Sequence, residues 1–267
     1  MKTMNELLIY ELRKKCFRVK ENLRKIEFIK KHTDVIDSVL FMAARFSNPN
    51  SFHNFGHHLG VAESFIKLAL IMGLSRKEIT EIVIGLLFHD ALHQGFQQYD
   101  DEVNSFEALV KSVDATDYAF MGLVKNNKTL ARSREVILAT IFNDRGKTPD
   151  EILRMVQDSD VGHIGQGPIY WPWASMGLVD EFIKQKLTND AISFIKSEQR
   201  LFVEGLCKVS GTGKPFLSEV ANKVFIDPLE SLAKVEALTA NQIMFAYNNR
   251  FNDLTVEEFG RGLIKAA

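Results

Sequence analysis

The chain has 267 residues, 46% of them hydrophobic, and Lys+Arg 33 against Asp+Glu 34 leaves a formal net charge of -1. That much apolar material builds a sizeable core and excludes a disordered chain. The charge balance argues against non-specific binding to nucleic acid or a membrane surface.

Met1 to Arg13 mixes charges into its apolar residues and lacks a signal-peptide core, and no apolar run reaches membrane-spanning length. Cys16 and Cys207 have neither the number nor the spacing of a disulfide framework or zinc motif, so they are expected as small core residues of a reducing compartment. A soluble protein of cytoplasmic type is expected.

Residues 5 to 30 carry apolar positions at helical spacing among many charges, which predicts one or two amphipathic helices covering the core. A second helix is expected over 34–46 from a cap at Asp34, followed by a breaker loop through Asn48-Pro49-Asn50. From His57 to Met72 the pattern is helical again. Gly73 ends that helix and Ser75 caps the next, which runs from Lys77 to Asp90. A Gln-rich loop over 91–100 precedes helices near 101–113, 115–126 and 132–142. Thr148-Pro149-Asp150-Glu151 then reads as the cap and first turn of a helix running into Asp158-Ser159-Asp160.

Residues 162–173, with three glycines, two prolines, two tryptophans and Tyr170, are expected as a loop. Helices near 174–187, 189–208, 217–235 and 239–249 complete the chain. Strand signals are sparse. The fold class is therefore all-α, a single helical bundle over 1–267. Its N-terminal cover is 1–46, its site core about 50–162, and its C-terminal helices lie in 174–267.

Gly85-Leu86-Leu87-Phe88-His89-Asp90 is an apolar helix ending in two side chains of metal-ligand type. Imidazole beside carboxylate suits a divalent ion such as Zn, Mn or Fe. His57 supplies a third candidate, brought near by the short Gly73-Leu74-Ser75 turn, and Asp160 a fourth. Two His and two Asp leave coordination positions open for water and substrate, and a second ion sharing Asp90 would suit phosphoryl chemistry.

These strings resemble the HD-domain metal-dependent phosphohydrolase superfamily, whose pattern is His, then His-Asp, then a distant Asp. Within it they are most similar to the cyclic-nucleotide phosphodiesterase-like branch. Phe52-His53-Asn54-x-x-His57 resembles its Tyr-His-Asn-x-x-His, Phe88-His89-Asp90-x-x-His93 its His-Asp-x-x-His, and Tyr99-Asp100-Asp101-Glu102 its Tyr-Asn-Asp-Glu. Ile137-Leu138-Ala139-Thr140 and Ser159-Asp160 are similar to its Leu-Ala-Thr and Ala-Asp segments.

The resemblance implies an all-α HD bundle in which His57, His89, Asp90 and Asp160 hold the first of two divalent ions (Mn, Mg, Zn or Fe). By the same resemblance Asp90 bridges to the second, and His53 is the general acid that protonates the leaving oxygen. His93 would hold the second ion's water shell and Glu102 would orient the bridging hydroxide. Asp158 would be a support residue or an alternative ligand.

The chain departs from the branch at Val103–Leu109, where a further histidine-rich stretch would stand, and at the base-recognising Gln-x-x-Phe. There the nearest string is Asn222-x-x-Phe225, so Asn222 and Phe225 are the candidates for holding the base. Tyr170 and Trp171, with Trp173, would either stack on a substrate ring or plug a loop against the core. His58 is expected at the surface.

The expected function is hydrolysis of a phosphodiester, or a phosphomonoester, of a small nucleotide-like substrate by metal-activated hydroxide. The alternatives are a di-iron oxygenase on the same scaffold, which would carry histidines beyond His93 between Asp90 and Asp160, and a non-catalytic nucleotide-binding module. Oligomeric state is not legible.

Overall fold

The structure is a computed structural model that describes residues 3–94, 100–114 and 127–267. Among these it is all-helical, with no strand. The N-terminal helices are α1 (Met4–Lys15), α2 (Val19–His32), α3 (Asp37–Phe46), α4 (Phe55–Ile71), α5 (Arg76–Phe88) and α6 (Asp101–Asp114). After them come α7 (Asn127–Ala139), α8 (Glu151–Asp160) and α9 (Tyr170–Lys184). Next, α10 joins Ala191–Ser193 through a π turn at Phe194–Glu198 to Gln199–Ser210. The chain closes with α11 (Glu219–Val224), α12 (Pro228–Glu236), α13 (Ala240–Asn248) and α14 (Val256–Lys265). The helix expected near 115–126, and Tyr99, lie outside the described residues.

Helix α4 is the axis of the bundle. Phe55, Leu59, Ala62, Phe65, Ile66 and Ala69 are fully buried, and so are residues on its other faces, as a helix enclosed on all sides requires. It packs against α2, α5 and α8. Asn54 caps its start by accepting from the Gly56 N–H at 2.8 Å. Gly73, at φ +73°, ends it, and the Leu74 N–H then returns to the Ala69 carbonyl. Two residues later the Ser75 and Glu78 capping box opens α5, so the two helices run antiparallel. On the far side of α5, a side chain at Gly85 would stand 2.8 Å from Val136 Cγ1, which explains why α5 and α7 approach so closely.

Several boundaries differ from the sequence expectation. Of the one or two amphipathic helices expected over 5–30 the structure has two, which part at Arg18 in the left-handed conformation at φ 62°. Helix α3 begins at Asp37 because Asp34 is bound by Arg76 Nε at 2.6 Å instead of capping. The expected 162–173 loop is a 3-10 turn, Gly162–Gly165, followed by a helix that already begins at Tyr170. Asp227, capping with Pro228 in the first turn of α12, splits the expected 217–235 helix. The last helix, α14, opened by a Thr255–Glu258 capping box, was not anticipated.

No described helix is long and apolar enough to cross a membrane.

Candidate metal centre

The start of α4, the end of α5 and the end of α8 converge. His57 lies in the first turn of α4, His89 caps α5 with Asp90 following it, and Asp160 ends α8. One ligand-type atom from each lies within 4.8 Å of all the others. His57 Nε2 is 3.1 Å from Asp160 Oδ1 and 3.4 Å from Asp90 Oδ2. His89 Nε2 is 3.1 Å from Asp90 Oδ2, 3.4 Å from Asp160 Oδ1 and 3.4 Å from His57 Nε2.

His89 is fully buried, and its Nδ1 donates to the Leu86 carbonyl at 2.7 Å, which leaves Nε2 as the ligand atom. Two imidazole nitrogens and two carboxylates facing one point are the donor set expected for a divalent cation of the Zn, Mn or Fe type. The residues present fit such an ion.

The electrostatics agree. Burial works against charge on His89, Asp90 and Asp160. Even so, the neighbouring carboxylates hold the His89 pKa well above its ordinary value, and the imidazoles hold Asp90 and Asp160 below theirs. Asp90 and Asp160 thus favour the protonated form of His89.

His53 lies beside this cluster, its ring centroid 5.8 Å from that of His57. Its Nδ1 is 2.6 Å from Glu181 Oε2, while Glu181 Oε1 accepts from the backbone N–H of Phe52 at 2.5 Å and of His53 at 3.1 Å. Burial opposes the imidazolium of His53, but the hydrogen bond and charge of Glu181, with Asp90 and Asp160, outweigh it and raise its pKa. His93 stacks on His53 with ring centroids 4.0 Å apart and planes at 18°. Burial and the His53 charge lower the His93 pKa, so the two stacked rings are shifted in opposite directions. The His93 carbonyl accepts from Asn48 and Asn50 at 2.8 and 2.7 Å, which fixes the loop on the far side of the cleft.

Glu102, in the first turn of α6, is 8% exposed, and its carboxyl is pushed up to about 7 by burial together with the charges of Asp90, Asp101 and Asp160. It therefore titrates near neutrality and feels the charge of the cluster.

Other expected residues are placed elsewhere. Trp171 does not face the site: it is fully buried and donates from Nε1 to Gln199 Oε1 at 2.6 Å, so it packs the core. Asn222 donates from Nδ2 to the Phe216 and Ser218 carbonyls, and Phe225 packs on Phe216 at 4.9 Å between ring centroids. Both line a separate hollow with Lys214 and Pro228, away from the cavity at the cluster. The shorter asparagine has spent its amide donors on its own helix start. Tyr170 does line the cavity at the cluster, together with Trp173.

His58 is not at the surface. It is fully buried, donating from Nδ1 to the Leu87 carbonyl at 3.0 Å and so tying α4 to the end of α5. Asp158 is no ligand: it accepts from Arg145 Nη2, from the Leu217 and Ser218 N–H groups and from the Ser218 hydroxyl, all at 2.7–2.8 Å.

Glu181 escaped the sequence reading. Its signal was present: Asp180 and Glu181 stand inside the apolar helix Met176–Ile183, where an unpaired acid would be costly. Gly177, one turn earlier, makes the contact possible, because a Cβ there would overlap the Ser51 carbonyl.

No family model matches the chain, and no curated protein matches it in sequence. Among solved structures it is similar to LmjPDEB1 in complex with IBMX, at 15% identity and a TM-score of 0.54, over 95% of this chain and 91% of that one. The two share a fold.

Proposed function

We propose that the chain is a metal-dependent phosphohydrolase that cleaves a phosphodiester of a nucleotide-like substrate. The observation that carries this is the convergence of His57, His89, Asp90 and Asp160 on one point beside a histidine held by a buried carboxylate. The shared fold with the phosphodiesterase LmjPDEB1 supports it. A divalent ion bound there supplies a Lewis acid that polarises water and neutralises charge on the phosphoryl oxygens.

The protein's own residues do the rest. Glu181 receives the Nδ1–H of His53, which stabilises its imidazolium and leaves Nε2–H as the proton to be given. That proton passes to the departing oxygen, whose alkoxide is otherwise a poor leaving group. Stacking on His93 fixes the plane of the donor ring. Glu102, a carboxyl poised near pH 7, orients the attacking water and takes up its proton. A second divalent ion, when bound, would share Asp90, and His93 would hold its water shell.

Metal analysis of the purified protein, paired with hydrolysis of bis-p-nitrophenyl phosphate and of a cyclic nucleotide under Mn, Mg and Zn, tests this reading. Metal-dependent cleavage that vanishes in Asp90→Ala is the expected result. His53→Ala should abolish most turnover of the cyclic nucleotide while retaining metal. Loss of metal in His53→Ala would make His53 a ligand and overturn its assignment. Bound iron with neither ester cleaved would overturn the hydrolase.

A further inference from the structure

The cavity that opens on His57 and Asp160 extends away from them to the junction of α1 and α2, where its wall carries Arg18 and Lys25. Lys25 is 4% exposed. Glu63 and Glu21 act on it at longer range, yet among the described residues its ammonium makes no hydrogen bond and no ion pair. The nearby acids are already matched. Glu21 and Glu63 are bound by Arg24 at 2.6 and 3.0 Å, and Glu63 also by Lys67 at 3.1 Å. Arg250, on the same wall, is matched by Asp180 at 2.8 Å, which Lys184 also holds.

Arg18 lies with its guanidinium carbon 3.8 Å from the Trp173 ring centre, so the aromatic face orients it but supplies no counter-anion. Its left-handed backbone, unusual for a side chain with a Cβ, marks the place where α2 starts without a side-chain cap. Burial lowers the pKa of both cations, the behaviour of positive groups short of negative partners. The cavity measures about 80 Å³, several times the ~10–15 Å³ that one water needs, so a polyatomic group fits.

We infer that this end of the cavity is an anion subsite, in which Lys25 and Arg18 bind a second phosphate of the substrate while the scissile phosphate sits at the His/Asp cluster. Lys25 Nζ lies 5.8 Å from the Trp173 ring centre, but a buried ammonium with no anionic partner is costly unless something anionic meets it, and a planar guanidinium braced on an aromatic ring suits a phosphate's oxygens. The inference rests on the phosphohydrolase reading and narrows it to a doubly phosphorylated, nucleotide-like ester. Asn22 and Tyr170, on the same wall, add polar atoms at the mouth of the subsite.

The test compares equilibrium binding of adenosine 3′,5′-bisphosphate and adenosine 3′-monophosphate to the Mn-loaded protein by calorimetry. In the native protein the bisphosphate should bind roughly tenfold or more tightly, the size of one charge-assisted contact. That preference should fall toward parity in Lys25→Met and in Arg18→Gln. The second substitution lies at a half-buried position, so the test stays decidable if the first disturbs folding.

Parity in the native protein, or a preference that survives both substitutions, would overturn the subsite. Hydrolysis of bis-p-nitrophenyl phosphate, followed in the same preparations, reports on the hydrolase reading alone. Preference without hydrolysis sinks that reading and leaves the anion subsite standing. Hydrolysis without preference does the reverse.

Discussion

His53 Nδ1 and Glu181 Oε2 lie 2.6 Å apart, although 128 residues separate them in the chain. The same carboxylate also accepts from the His53 backbone N–H, so it fixes both the ring and the loop that carries it. The pairing favours the imidazolium of His53 and leaves one of its nitrogens committed.

Glu181→Gln removes the charge while keeping an acceptor for the backbone. The His53 pKa, raised in the folded protein, should then fall. The acid form exists below that pKa, so the alkaline limb of the rate profile should move to lower pH. Turnover of a substrate with an alkoxide leaving group should drop by roughly 10²-fold at pH 8, the low end of what general acid catalysis contributes. A p-nitrophenyl ester, whose leaving group needs no proton, should lose much less. Equal losses on the two substrates would contradict the acid role.

Gly177→Ala should act on the same contact from a distance. The added methyl meets the Ser51 carbonyl, so either α9 or the loop must move. Overpacking of this kind costs about 1–3 kcal/mol. Thermal unfolding should show that loss, and cyclic-nucleotide turnover should fall while metal content holds, because no ligand lies on α9.

Metal binding should release protons. His89 is held protonated well above its ordinary pKa by Asp90 and Asp160, and a divalent ion displaces that proton from Nε2. Calorimetric titration of Zn into stripped protein, repeated in two buffers of different ionisation enthalpy, should show net proton release at pH 6. Apparent affinity should rise with pH. Affinity that ignores pH would mean that the imidazoles are already neutral.

Glu102 gives a stability signature of opposite sign to an ordinary salt-bridged acid. Its folded pKa of about 7 lies above the unfolded value of 4.5, so the native state binds the extra proton. Stability is full below pH 4.5 and is lost as pH rises toward 7, by on the order of 3 kcal/mol for stripped protein. Glu102→Gln should therefore raise the melting temperature of the stripped protein at pH 8 and leave it unchanged at pH 4.5. A divalent ion should shrink the difference.

The four candidate ligands, which the structure brings together, were legible because each sits at a helix end whose boundary is written in short-range chemistry: the Asn54 cap, the Gly73 stop, the Ser75 capping box. The HD resemblance rests on the same local strings. What could not be read was any pairing set by tertiary packing alone. Glu181 looks like a surface acid until Gly177 lets its helix touch the Ser51 loop. Trp171 reads equally as a stacking platform or a core plug, and only Gln199, on α10, settles that it is core. Asn222 matched a motif by spacing, but its amide closes on its own turn. Arg18 and Lys25 were hidden among the many charges of a stretch that looked like a solvated cover.

The close approach at Gly177 also orders events in time. Every candidate ligand lies at or before Asp160, whereas the carboxylate bound to His53 arrives with α9. On the proposed reading, all four candidate ligands are therefore synthesised before the residue that orients the acid. On that reading, the ligand cluster and the oriented acid are thus separate assemblies, and the second depends on α9 docking against the Ser51 loop.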